Sequence, residues 1–189
     1  MSADNLMLDV GQAEELKLAF RRNGWNNAAI KTLSEGSILT DVLKIIKGQA
    51  EIKIIEHPID CDATPFIPNG WSVKEHKKGG MFKFNPKKIS LHLSKKQKKG
   101  SIEGNDLRKE LANQPPVLNA NVLDYLLDYP ELIPEEWKGK YIFFWGTIYR
   151  SSDGGLRVRC LGWDGSRWYW SYRWLGRGFA SGSPAALAS

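Results

Sequence analysis

The segment that decides the fold is Trp163-Asp-Gly-Ser-Arg-Trp-Tyr-Trp-Ser-Tyr-Arg-Trp-Leu175, which contains four of the chain's eight tryptophans. Aromatic side chains occupy every second position from 168 to 174, which is the period of a β-strand. One face is predicted to carry aromatic residues only, namely Trp168, Trp170, Tyr172 and Trp174. The other face is predicted to carry types common on recognition surfaces, namely Arg167, Tyr169, Ser171 and Arg173. We expect the Trp face to be the buried anchor and the second face to be exposed.

The residues before this segment predict an antiparallel sheet. Residues 141–149 (Tyr-Ile-Phe-Phe-Trp-Gly-Thr-Ile-Tyr) are apolar enough for a buried strand, and residues 156–161 alternate. Asp164-Gly165 favours a tight hairpin turn. Helices with Asn caps are predicted from 105 and from 121. Together these elements predict an α+β domain with an antiparallel C-terminal sheet.

A small helical segment is predicted ahead of this domain, at residues 1–50. Its helices are expected at 12–23, from Asn26 or Asn27, and from a Ser37 cap to Gly48. From residue 51 the pattern changes to short strands. These strands are predicted at 51–56, 71–76, 82–84 and 89–93. We therefore divide the chain into residues 1–50 and residues 51–189.

The composition is that of a globular protein. Of the 189 residues, 42% are hydrophobic and 25% are charged, and the formal net charge of +6 permits an anionic partner without requiring one. We see no signal peptide and no stretch of membrane-spanning length, so a cytoplasmic location is expected. All 18 lysines lie at or before Lys140, whereas six of the nine arginines follow it. The Lys-rich part and the Arg-containing C-terminal part are thus suited to different kinds of contact, because Arg, unlike Lys, makes planar contacts with several donors.

The sequence carries no pattern that predicts catalysis, a metal site or a cofactor. His57, Asp60, Cys61, Asp62 and His76 match no zinc-binding spacing, and a Pro-rich loop with Asp caps is the simpler interpretation. Cys61 as a nucleophile has no supporting pattern, and two cysteines make no disulfide framework. A phosphate-binding Gly loop and a nucleophile elbow are missing from the sequence. We expect a protein that is not an enzyme.

Residues 163–189 differ in composition from the rest of the chain. They include no Lys, Glu, Gln, Met or Asn, and Asp, Gly, Ser, Arg and Tyr stand between the Trp residues. This alternation resembles the variable regions of diversity-generating retroelement target proteins. In that family a reverse transcriptase randomises template adenines, so Asn codons change while the adenine-free Trp codon is retained. Further similar segments, typical of reduced-genome bacterial lineages, are 119–127, 133–140, 144–150, 158–161, 174–175 and 184–186.

This resemblance covers roughly residues 57–189. It implies a C-type-lectin-like fold whose variable region, at about 163–184, is displayed over an invariant backbone. The implied function is binding of a protein or another macromolecular ligand, without a cofactor. The candidate contacts are Asp164, Ser166, Arg167, Tyr169, Ser171, Tyr172, Arg173, Arg177, Ser181 and Ser183.

Two other binding functions remain open. The Lys-rich segment 77–99 could contact nucleic-acid phosphates, which would give a basic accessory protein with salt-sensitive binding. The Trp-bearing strand could instead bind carbohydrate through its rings. That alternative requires Trp168, Trp170 and Trp174 to be exposed.

Overall fold

The chain forms two compact units, Met1–Ile55 and Glu56–Ser189. The structure is a computed structural model that describes residues 7–53 and 56–188. Within residues 7–53 the first unit contains three helices, α1 (Val10–Arg22), α2 (Asn27–Ser34) and α3 (Ile38–Ile46). These confirm the three predicted helices.

The second unit is a mixture of short helices and strands. Its strands are β1 (Pro58–Asp60), β2 (Ser72–His76), β3 (Met81–Lys83), β4 (Ile89–His92), β5 (Ser101–Glu103), β6 (Ile142–Arg150), β7 (Leu156–Trp163), β8 (Trp168–Trp174), β9 (Gly178–Ala180) and β10 (Ala185–Ala188). Its α-helices are α4 (Lys95–Lys99), α5 (Gly104–Leu111) and α6 (Ala120–Asp128). Single turns of 3-10 helix occur at Pro86–Lys88, Pro130–Leu132 and Glu135–Trp137.

The main sheet is built around β6. Its strand order is β4-β10-β6-β7-β8, and β2 also pairs with β6. Neighbours are antiparallel except β10 and β6, which meet in parallel where Ala185 lies opposite Phe143. The pairs β1–β3 and β5–β9 form two small antiparallel sheets beside it. The α+β class and the predicted hairpin β7–β8 are confirmed, and β10 adds a parallel contact that the sequence did not predict.

Two hydrophobic clusters cover the two faces of the main sheet. Ile142 and Phe144 of β6 belong to the first cluster, which includes the buried side of α6. Phe143 and Trp145 belong to the second cluster, which includes Leu107 of α5 and strand β9. Because β6 is buried on both faces, it needs an unbroken apolar sequence rather than an alternating one.

Three local predictions are wrong. Residues 51–53 and 56 are not in a strand, and residues 54 and 55 of that prediction lie outside the described residues. This stretch lies at the junction of the two units, and Ile52 is exposed. Helix α5 begins at Gly104 rather than after an Asn105 cap. The cap of α6 is Asn119, whose side chain accepts from Asn121 N at 3.1 Å.

Glycine is required where α5 begins. A Cβ on Gly104 would lie 2.5 Å from the Phe179 ring and 2.7 Å from the Leu175 carbonyl oxygen. Gly104 N also donates to Arg177 O at 3.1 Å. The close approach places α5 directly against the segment that follows β8.

Candidate functional site

The β7–β8 hairpin turn is organised by Asp164. One carboxylate oxygen accepts from Ser166 N at 2.9 Å, from Ser166 Oγ at 2.8 Å and from Arg167 N at 2.9 Å. These bonds, led by the backbone donors of Arg167 and Ser166, lower the pKa of Asp164 to about 2. Gly165 adopts φ +102°, which a side chain would disfavour. Asp164 is therefore committed to the turn, while Ser166 and Arg167 are exposed.

The ribbon face of β8 consists of Tyr169, Ser171 and Arg173. Tyr169 OH donates to Tyr141 OH at 3.3 Å, and this hydrogen bond raises the pKa of Tyr169 to about 12. One guanidinium nitrogen of Arg173 donates to Gly178 O at 3.1 Å. All three side chains are only partly exposed. The expectation of an open face is corrected: strand neighbours and the segment after β8 cover part of it.

The segment 176–183 borders the ribbon face. Arg177 and Ser181 are exposed, as expected of ligand contacts. Ser183 is 3% exposed, and its hydroxyl accepts from Arg173 at 3.2 Å, so it cannot be a surface contact. Gln97 of α4 explains this burial, because its side-chain amide donates to Ser183 O at 2.9 Å.

The aromatic face of β8, defined as Trp168, Trp170, Tyr172 and Trp174, is not the uniform buried anchor that its composition predicts. Trp168 and Trp170 are half-buried against the first hydrophobic cluster. Tyr172 is 51% exposed and Trp174 is 46% exposed. The difference arises because the first hydrophobic cluster extends beneath Trp168 and Trp170 but does not include Tyr172 or Trp174. The exposed-ring condition for carbohydrate binding is met by Trp174 alone among the three tryptophans.

An ion pair between the buried Arg159 and the partly exposed Asp124 lies beside the aromatic face. Arg159 of β7 is 1% exposed and makes two hydrogen bonds to Asp124 of α6, at 2.6 and 3.0 Å. Its guanidinium carbon lies 4.6 Å from the ring centre of Trp170 and 5.1 Å from that of Phe66. Burial alone would lower the pKa of Arg159, but the hydrogen bonds and charge of Asp124 outweigh it and raise that pKa.

Sequence reasoning missed the residues that complete this site. Phe66 and Trp71 come from the loop before β2 and pack against Trp170 and Tyr172, with ring centres 6.0 and 4.9 Å apart. Tyr141 precedes β6 and meets Tyr169 across Gly162, where a Cβ would lie 3.1 Å from both rings. The composition of this Pro-rich loop predicts turns only. No local sequence pattern indicates which part of the fold such a loop packs against.

A comparison with protein-family models, curated proteins and solved structures finds no match to this chain.

The histidines, aspartates and cysteine of the loop around residue 60 have structural partners. His76 bridges Thr147 Oγ1 and Cys61 O at 2.8 and 3.0 Å. Asp62 accepts from the backbone nitrogens of Gly79 and Gly80. Burial, reinforced by Asp60 and Asp62, raises the pKa of Cys61 to about 11, so its thiol is protonated at neutral pH and is a weak nucleophile. Residues 7–53 and 56–188 contain no cluster suited to holding a metal ion.

The lysine run 95–99 forms helix α4. Gln97 is buried, while the four lysines are exposed. Within residues 56–188 no carboxylate lies within salt-bridge distance of Lys95, Lys96, Lys98 or Lys99. The helix therefore presents four lysines that have no ion-pair partner within residues 56–188.

In the described parts of the chain no helix has the length and apolar character needed to cross a bilayer.

Proposed function

We propose that this protein is a non-enzymatic binding protein, the variable protein of a diversity-generating retroelement. Its C-terminal surface would recognise a protein or another macromolecular ligand. The observation that carries the proposal is the separation of two kinds of position along β8 and its flanking loops. Trp168 and Trp170 pack against the hydrophobic core, whereas the side chains of Ser166, Arg167 and Arg177 are exposed.

Such a separation suits repeated sequence change at the same positions. Exposed loop substitutions away from special backbone positions alter the free energy of unfolding by about 0.5 kcal/mol or less. Removal of a core aromatic side chain costs about 3–5 kcal/mol. Exposed loop positions can thus change in sequence while the core aromatic positions maintain the fold.

The ligand class follows from the shape and chemistry of the surface. Tyr172, Arg167 and Arg177 are exposed on a strand and two loops, and they offer an open contact area rather than an enclosed cleft. Tyr supplies rigid contact area and Arg supplies several hydrogen-bond donors, which suits protein recognition.

A C-type-lectin-like arrangement is the finer fold that we propose for the second unit. Strand β10 lies between β4 and β6, so the backbone on both sides of the variable region is held by the sheet. The hairpin β7–β8 lies at the edge, where side chains can vary. An experimental structure of this unit tests the assignment, and a connectivity unlike that of C-type lectins would reject it.

Sequencing of the gene's surroundings tests the proposed origin of the surface. We expect a near-repeat of the region that encodes residues 163–184, differing from it at template adenines, and a reverse transcriptase gene nearby. A locus with neither element would reject the proposal.

A protein-level test replaces Ser166, Arg167, Arg177 and Ser181 together with other types reachable from an Asn codon. We expect the fourfold variant to stay folded, with a free energy of unfolding within about 2 kcal/mol of the wild type, measured in urea. The matched control is Ser183→Tyr, since Ser183 is buried and should tolerate no such change. Unfolding of the fourfold variant would contradict the proposal.

One observation favours nucleic-acid binding as a second candidate. The four lysines of α4 lack carboxylate partners within residues 56–188 and could each contact a phosphate. Binding to a mixed-sequence duplex at low salt, weakening steeply as salt rises and lost when these lysines are changed to Gln, would support it. A flat salt response would remove it.

A further inference from the structure

The outer edge of β8 has no pairing partner within residues 56–188. Strand β8 ends the main sheet and pairs with β7 alone, along Trp168–Trp174. Its register with β7 is continuous, and the strand contains no Pro and no Lys. Bulges, prolines and lysines are the usual devices that prevent an edge strand from pairing with another chain. This edge therefore remains competent for strand addition.

The hydrogen bonds at the ends of the hairpin show which backbone groups point outward. Leu175 N donates to Leu156 O at 2.9 Å, and Asp164 N donates to Arg167 O at 3.2 Å. Hydrogen-bonded residues alternate along an antiparallel pair, so the odd-numbered residues of β8 face β7. The N–H and C=O groups of Trp168, Trp170 and Tyr172 therefore face the outer edge. Trp174 adds its N–H only, because its carbonyl accepts from Arg177 N at 3.0 Å.

We propose that a second copy of this chain pairs with this edge, β8 against β8, antiparallel about a two-fold axis at Ser171. In this register Trp170 lies opposite Tyr172 of the second copy, and Trp168 lies opposite its Trp174. Every outward-facing residue then meets an outward-facing residue, as a hydrogen-bonded ladder requires. The cross-strand pairs are aromatic on one face of the new sheet, which stabilises strand pairing.

Charge and the bounds of β8 favour this register over the registers with axes at Trp170 and Tyr172. With the axis at Ser171, Arg173 lies opposite Tyr169 of the second copy, a favourable cation–π partner. An axis at Trp170 would place Arg167 opposite Arg173, and an axis at Tyr172 would place Trp168 opposite Gly176, beyond the end of β8. Like charges directly opposite each other destabilise a strand pair. The axis at Ser171 is also the one that pairs all of Trp168–Trp174 with itself.

The exposed rings of the aromatic face gain cover in this arrangement. Tyr172 and Trp174 are about half exposed in the single chain, and they would pack against Trp170 and Trp168 of the second copy. The two main sheets become continuous, with both ribbon faces on the same side. The dimer would thus present the ribbon faces and the Arg167 and Arg177 loops of both copies next to each other, while Tyr172, an exposed candidate contact in the single chain, would be covered.

Ser171 offers a decisive test because the two-fold axis places it opposite Ser171 of the second copy. Sedimentation equilibrium of the full chain should show a reversible monomer–dimer equilibrium in the micromolar range. Ser171→Arg and Ser171→Glu should each raise the dimer dissociation constant roughly 100-fold, since each opposes two like charges. An equimolar mixture of the two variants should restore dimers, and the uncharged control Ser171→Gln should dimerise like the wild type. A monomeric wild type, or a mixture that remains monomeric, would overturn the proposal.

A second pair of variants tests the backbone contribution independently. Tyr172→Pro removes an outward N–H without taking a hydrogen bond from the β7 ladder, and prolines are tolerated on such edges. Tyr172→Ala loses the same ring but retains the N–H. We expect Tyr172→Pro to be monomeric and Tyr172→Ala to keep dimerising more weakly. Equal dissociation constants for the two variants would overturn the pairing of backbones.

Discussion

Arg159 illustrates, at the scale of single residues, how burial depends on partners far away in the sequence. Arg157 and Arg159 occupy equivalent positions in the alternating strand β7, yet only Arg159 is fully buried. The difference is made by Asp124 of α6 and by the rings of Phe66 and Trp170, which enclose one guanidinium and not the other. The period of a strand predicts which residues share a face but not what lies above that face.

Removal of the Asp124 carboxylate should leave the buried charge of Arg159 without compensation. We expect Asp124→Ala to lower the free energy of unfolding by about 3 kcal/mol, because Arg159 would remain buried without its counter-charge. Urea unfolding followed by Trp fluorescence measures the change. The double variant Asp124→Leu/Arg159→Met should recover most of it, since an apolar pair replaces the buried ion pair. A loss below about 1 kcal/mol in Asp124→Ala would show that water already screens the pair.

Asp164 predicts a pH dependence with a defined sign. Its folded pKa of about 2 lies below the value of about 3.9 for an unfolded aspartate. Its stabilisation is therefore complete above about pH 4 and is lost as the pH falls toward 2. The difference in unfolding free energy between the wild type and Asp164→Asn should shrink across that window and be constant above it. An NMR titration with an Asp164 midpoint near 4 would contradict this prediction.

Local and non-local elements differ in how far the sequence predicts them. The β7–β8 hairpin was predictable because Asp164-Gly165 and the period-2 aromatics lie within one short stretch. Strand β10 was not, because Ala-Ala-Leu-Ala has weak strand propensity and its partner β4 lies about a hundred residues earlier. The exposure of the candidate site was unpredictable for the same reason, since Tyr141, Gln97 and the loop before β2 decide it.

Helix α4 gives a prediction at this scale, because one of its side chains holds the segment after β8. Gln97→Ala would leave Ser183 O without its side-chain donor, so we expect a loss of about 1–3 kcal/mol in unfolding free energy. The matched control is Lys98→Ala, an exposed neighbour that should change stability by about 0.5 kcal/mol or less. Equal effects of the two substitutions would contradict the role of Gln97.

The two units of the molecule differ in how completely their helices and strands bury apolar side chains. Helices α1, α2 and α3 contain no fully buried residue, and Leu16, Leu43 and Ile46 are exposed. The second unit has two hydrophobic clusters on opposite faces of one sheet. The hydrophobic effect scales with the apolar area removed from water, so cooperative stability resides mainly in the second unit.

We therefore expect residues 56–189 to fold without the first unit. A fragment of these residues should unfold cooperatively in urea, with a midpoint close to that of the full chain. Residues 1–55 alone should show a broad, non-cooperative loss of helical circular dichroism on heating. A disordered 56–189 fragment would show that its core depends on the first unit.

The position of β10 between β4 and β6 makes folding of the second unit depend on an intact reading frame through residues 163–184. The segment 163–184 precedes β10 in the gene, so a stop codon or frameshift introduced there also deletes or rewrites β10. Loss of this inner strand leaves β4 unpaired and uncovers both hydrophobic clusters, and the product would be removed as misfolded. A folded product therefore requires a reading frame that stays open through residues 163–184. If these residues are diversified as we propose, variants that carry only side-chain substitutions would reach a stable native state, and truncated or frameshifted variants would not.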